Sequence, residues 1–125
     1  MPSIQRPLSG SPLVFRISEE KAQVGDAATF ERHGRRARTL VKDGPLRVTL
    51  IELAPGGGMA EHRAPGPITV QPLSGRIHFA VEGKEHELGV GDFLALEKGV
   101  PHSVSSTSGG AFLLTVSRPD QPGVD

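Results

Sequence analysis

The chain contains no cysteine, no tryptophan and no tyrosine. Without cysteine there is no disulfide, no thiolate metal site and no thiol nucleophile. With only five phenylalanines as aromatic residues, a core has to be built mostly from aliphatic side chains. An excess of either charge is lacking as well, because fourteen basic and fourteen acidic residues leave a formal net charge of zero. A neutral chain exerts no long-range pull on nucleic acid or an anionic membrane, so neither is expected as a partner. No run approaches the ~20 apolar residues of a membrane span. The opening "MPSIQRPLSGSP" also lacks the apolar stretch of a signal peptide. The expectation is a soluble, cytoplasmic protein.

What is present is turn chemistry and alternation. The 125 residues are enough for one domain with a single core, and sixteen glycines and eleven prolines imply many short turns. Residues 1–37 read as an N-terminal arm with a short helix. "LVFRI" (13–17) has the look of a strand, and "GDAATFERHG" (25–34) that of a brief helix, N-capped by Asp26 and ended by Gly34. From residue 38 the period becomes two. "LRVTLIEL" sets Leu46, Val48 and Leu50 against Arg47 and Thr49; "ITVQPL" sets Ile68 and Val70 against Thr69 and Gln71; "RIHFAVEG" sets Ile77, Phe79 and Val81 against Arg76, His78 and Ala80. Short strands recur about every ten residues between glycine-rich turns, the pattern of an all-β sandwich or barrel. Residues 38–118 therefore form the barrel and 119–125 a flexible tail.

Two histidine segments stand out. His62 lies in "GGGMAEHRAPGPITVQPLSG", a glycine run leading to a strand that Ser74-Gly75 closes as a turn, and His102 lies in "GVPHSV". Together these segments resemble the paired motifs of the cupin superfamily. The first motif reads glycine, five residues, His-X-His, three or four residues, Glu, six residues, Gly; Gly56, His62 and Gly75 fall in register with it. The second reads glycine, five residues, Pro-X-Gly, two residues, His, three residues, Asn; Gly91, Gly99 and His102 match. The resemblance implies a double-stranded β-helix, or jelly-roll barrel, here preceded by the short N-terminal helix read above. It also implies a homodimer and a cavity inside the barrel. The departures bear on chemistry: Ala64 and Ile68 replace two of the usual metal ligands, and Glu97 and Ser106 stand where the second motif has Pro and Asn.

Two imidazoles fall short of the three protein ligands that a catalytic zinc or iron site takes. Gln71 is the best third donor, provided a shifted register turns Thr69 and Gln71 inward. The favoured reading is a small-molecule-binding cupin with no tightly bound metal, its ligand held near His62 and His102 in a pocket lined by residues such as Val70 and Phe79. The first alternative is a metal-dependent enzyme, dioxygenase- or isomerase-like, with Fe, Zn, Mn or Ni on His62, His102 and Gln71. The second is a non-catalytic structural or sensor dimer.

His33, His78 and His86 are expected at the surface. "RHGRRAR" (32–38) packs four arginines into seven residues. It suits a solvated turn or a dimer edge better than an acidic ligand or RNA. "APGGG" lacks the Lys-Ser/Thr of a phosphate loop, and no G-X-S-X-G elbow occurs.

Overall fold

The computed structural model describes residues 7–21, 30 and 33–118. A single-turn helix, α1 (Ile17–Lys21), precedes eight strands: β1 (Arg35–Asp43), β2 (Leu46–Leu53), β3 (Gly58–His62), β4 (Ile68–Val81), β5 (Lys84–Gly89), β6 (Leu94–Leu96), β7 (His102–Ser105) and β8 (Gly110–Ser117). The pairing is antiparallel throughout, in the order β1-β2-β8-β4-β7-β3, with β5 and β6 added on β4. The sheet curls on itself into a jelly-roll half-barrel, with β1 and β3 among its edge strands. Among the described residues no helix is long and apolar enough to cross a membrane.

The curl depends on β4, which serves both faces. Residues 68–75 pair with β8, and 76–81 pair with β5. The two strands expected at 68–73 and 76–83 are thus one, and Ser74-Gly75 is not a turn. It is a corner, where a register shift between Pro72 and Ser74 lets the strand leave one sheet for the other. Gly75 holds φ +70°, and a Cβ there would lie 2.2 Å from the Gly109 carbonyl oxygen. The true turn comes at Glu82-Gly83, both with positive φ (51° and 78°), the left-handed pair of a type I′ hairpin.

Two apolar layers result. Between the sheets, Ile51, Leu53, Ile68, Val70, Ile77, Phe79, Val104 and Phe112 form the main core. On the outer face, Leu40 and Leu50 are covered by Phe15 and Ile17 of the N-terminal segment, with Val48 and Leu113 beside them. "LVFRI" is therefore not a strand: residues 13–16 are irregular and Ile17 opens α1. Phe15 and Ile17 gain more by capping an apolar sheet face than by pairing at an edge, which already carries β1. The Glu20–Arg38 ion pair (2.6 Å) fixes α1 over β1. Asp26, most of the 25–34 helix and the tail 119–125 lie outside the described residues. The end of that helix is described, where the Gly34 amide donates to the Phe30 carbonyl (2.9 Å).

Candidate functional site

His62 ends β3 and His102 opens β7. The antiparallel ladder makes them direct cross-strand partners, although forty residues separate them in the chain. Their rings meet edge to face, with centroids 4.4 Å apart at 63°. His102 also stacks on Phe79, at 5.2 Å and 14°.

Each ring is oriented by its own backbone. Nδ1 of His62 lies 2.8 Å from the Ala60 carbonyl oxygen, and Nδ1 of His102 lies 2.9 Å from that of Val100. A carbonyl only accepts, so Nδ1 carries the proton in both rings. In the neutral imidazole, Nε2 is then left as a lone-pair acceptor.

Burial separates the two histidines, His102 being 3 % exposed and His62 exposed. Desolvation pushes the His102 pKa below its ordinary 6.5; the hydrogen bond to Val100 opposes this, and the neighbouring His62 adds to the lowering. The pH dependence follows. Between the depressed folded value and 6.5 the unfolded chain binds more protons, so stability is full above 6.5 and declines as the pH falls toward the folded value. Melting temperatures of wild type and His102→Gln, measured from neutral to mildly acidic pH, are expected to show a steeper acid-side loss for wild type. Parallel curves would rule this out, since the carboxylates common to both cancel in the comparison.

Behind the pair lies an apolar pocket walled by Ile51, Met59, Phe79, Val104, Phe112 and Leu114. It encloses about 20 Å³ in which a water-sized sphere can be centred, room for about one water. Of the residues expected to line it, Phe79 does so. Val70 is fully buried in the same core but is not among the residues that wall this pocket. Gln71 is exposed, lies between buried Val70 and Pro72, and pairs with Leu113 of the outer layer. Cross-strand partners share a face, so the inward register proposed for Gln71 does not occur.

The positions of the missing ligands have become core. Ala64 packs against the apolar cluster and Ile68 is buried in it. Among the described residues no group of three or more His, Cys, Asp or Glu side chains converges to hold a metal. The cupin resemblance implies a metal at this place, but two imidazoles without a carboxylate or a third imidazole do not fit one held by three protein ligands.

The other histidines are separate from the pair. His33 is exposed, His86 is half-buried, and His78 is half-buried rather than at the surface, with Nδ1 2.9 Å from Glu85 Oε1. Sequence reasoning missed Ser106, which is 1 % exposed. Its hydroxyl donates to the Arg76 carbonyl, its amide donates to the Gly57 carbonyl (3.0 Å), and its carbonyl accepts from the Gly56 amide (2.8 Å). Ser106 thus ties the glycine turn before β3 to the corner of β4. The available signal was its register position, where the second motif has a polar residue.

A curled double-sheet jelly roll with a histidine pair across two of its strands defines the class as a small β-barrel of the cupin type. Residues 49–117 match the cupin domain family, and the chain belongs to that family. No protein of curated function matches the chain. Among solved structures, a conserved protein of unknown function from Streptococcus pyogenes is 26% identical, with 72% of this chain and 79% of that one covered and a TM-score of 0.66. KdgF from a Halomonas species shares 15% identity over 90% of this chain and 97% of its own, at a TM-score of 0.69. Salicylate 1,2-dioxygenase from Pseudaminobacter salicylatoxidans shares 17% identity over 82% of this chain and 34% of its own, at 0.72. The last two likenesses concern the fold.

Proposed function

We propose that the protein binds a small organic molecule at the inner end of the barrel, with His62 and His102 as hydrogen-bond acceptors for a hydroxyl or amino group. The observation that carries this reading is the tautomer. Both Nδ1 protons are committed to backbone carbonyls, so both rings offer Nε2 lone pairs beside an apolar pocket. An apolar wall with a few oriented polar groups is the general form of a ligand site. On this reading no divalent metal resides tightly at the pair, and the protein works as a cytoplasmic homodimer.

Native mass spectrometry and elemental analysis of protein purified without added metal test the proposal together. The expected result is a metal-free dimer that binds hydroxyl-bearing fragments, with affinity falling about 3–10-fold in His62→Leu and in His102→Leu, the worth of one hydrogen bond. Stoichiometric iron, zinc, manganese or nickel that disappears in both variants would instead favour the metal-dependent enzyme. Fragment affinities untouched by either substitution would remove the histidines from the site.

A further inference from the structure

A larger pocket, about 340 Å³, lies in the seam between edge strands β1 and β3, bounded by Arg35, Arg36 and Ala37 of β1 and Met59 of β3. Ile51 and Met59 line both this pocket and the histidine pocket, so the two share a wall. The volume lies within the ~300–1,000 Å³ range of small-molecule sites, whereas the space behind the histidines alone does not.

The seam has a chemical sign. Arg35 pairs with Leu53 and Ala37 with Ile51, and both partners belong to the inner core, so Arg35 projects from the inward face of β1. The next two arginines are ion-paired: Arg36, which also borders the pocket, lies 2.7 Å from Glu52, and Arg38 pairs with Glu20. Among the described residues Arg35 donates one N–H to the Gly58 carbonyl at 3.3 Å, out of the five donors of a guanidinium. His33 lines the pocket as well, and among the described residues no Asp or Glu does. The arginine-rich segment is thus the start of edge strand β1 rather than a turn, with Arg36 and Arg38 ion-paired and Arg35 turned inward.

Resting on the ligand-binding reading above, we infer that the ligand is a small organic carboxylate that enters through the β1–β3 seam. Its carboxylate meets the Arg35 guanidinium, its apolar body lies along Met59 and Ile51, and its hydroxyl or amino end meets the histidine pair. The planar fork of the Arg35 guanidinium suits the two oxygens of a carboxylate, and the Arg36 guanidinium, which also lines the pocket, is already engaged by Glu52.

Calorimetric titration with matched probes tests this: para-hydroxybenzoate against para-hydroxybenzamide, and omega-hydroxyhexanoate against its amide. At least one acid is expected to bind about tenfold more tightly than its amide, as one partly exposed charge-assisted contact allows. The preference should vanish in Arg35→Gln and shrink as salt is raised. Arg35 is exposed, so the variant should fold, and an unchanged melting temperature checks that. Amides binding as tightly as acids, an acid preference that survives Arg35→Gln, or no acid binding at all would each overturn the inference. The His62→Leu and His102→Leu variants separate the two readings. Loss of acid and amide binding alike supports the histidine acceptors. An Arg35-dependent acid preference with unchanged affinity in both histidine variants would leave the carboxylate subsite standing and remove the histidine end.

Discussion

Phe112→Ala is expected to cost about 3–5 kcal/mol of unfolding free energy, the range for deleting a buried aromatic ring. Phe112, the third residue of β8, is 2 % exposed, with Ile51 opposite it on β2 and Pro72 opposite it on β4. It therefore sits in the main core with ladders on both sides, and neighbours held in those ladders cannot collapse into the space. With a total stability on the order of 5–15 kcal/mol, the loss is a large fraction of the whole. It should appear as a fall in melting temperature of about 10–20 °C. Because Phe112 also walls the histidine pocket, the substitution should open a void there on the order of 100 Å³, large enough to admit a benzene-sized molecule. Thermal melts with and without benzene check both halves: the variant should regain stability in its presence, and wild type should not. Phe112→Leu, which keeps most of the volume, should cost only about 1–1.5 kcal/mol. A Phe112→Ala protein that melts within a degree or two of wild type would mean that the core is not built around this ring.

Gly75→Ala is expected to destabilise by about 3 kcal/mol or more, from one added methyl group. An alanine at φ +70° carries left-handed strain of about 1–2 kcal/mol. Its Cβ would also lie 2.2 Å from the Gly109 carbonyl oxygen and 2.8 Å from the Gly110 Cα, both of them backbone. Relief requires β4 and β8 to separate at the corner where the sheet folds over, adding to the strain. Gly83→Ala provides the control, because it has the same sign of φ (+78°) but no atom within 4 Å of the added Cβ. It should cost about 1–2 kcal/mol. Urea denaturation of the two variants reads the difference. Equal losses would show that the close approach at the corner contributes nothing.

The same corner shows what period-two reading can and cannot see. Alternation located β4 correctly on both sides of Ser74-Gly75, because Ile68 and Val70, then Ile77 and Phe79, point into the core. It could not tell a break from a bend, since a glycine after a serine serves a turn and a sheet crossing equally well. In β2 the alternation of Leu46, Val48 and Leu50 pointed to one face as the buried one. Val48 and Leu50 instead form the outer layer under Phe15 and Ile17, while Ile51 and Leu53 supply the inner core. A strand covered on both faces carries two apolar sets, and only the longer is visible as a rhythm. The β3 segment carries no strand rhythm of its own, and its pairing partner, β7, is remote in sequence.

The sequence by itself determined the cupin barrel. Strand alternation, the glycines at 56, 75, 91 and 99, and the two histidines in motif register are local signals, and each survives without knowledge of its partners. It also carried the departures at Ala64 and Ile68, which removed two usual ligands before any geometry was known. Only the tertiary structure decided which side chains converge. Pairing β3 with β7 set His62 opposite His102, the register of β4 on β8 turned Gln71 outward, and the curl left β1 and β3 as edge strands with Arg35 on the inner side of the seam. The reason is physical: a residue's own neighbours set its strand, but only the ladder between strands distant in sequence sets the face it shares and the company it keeps.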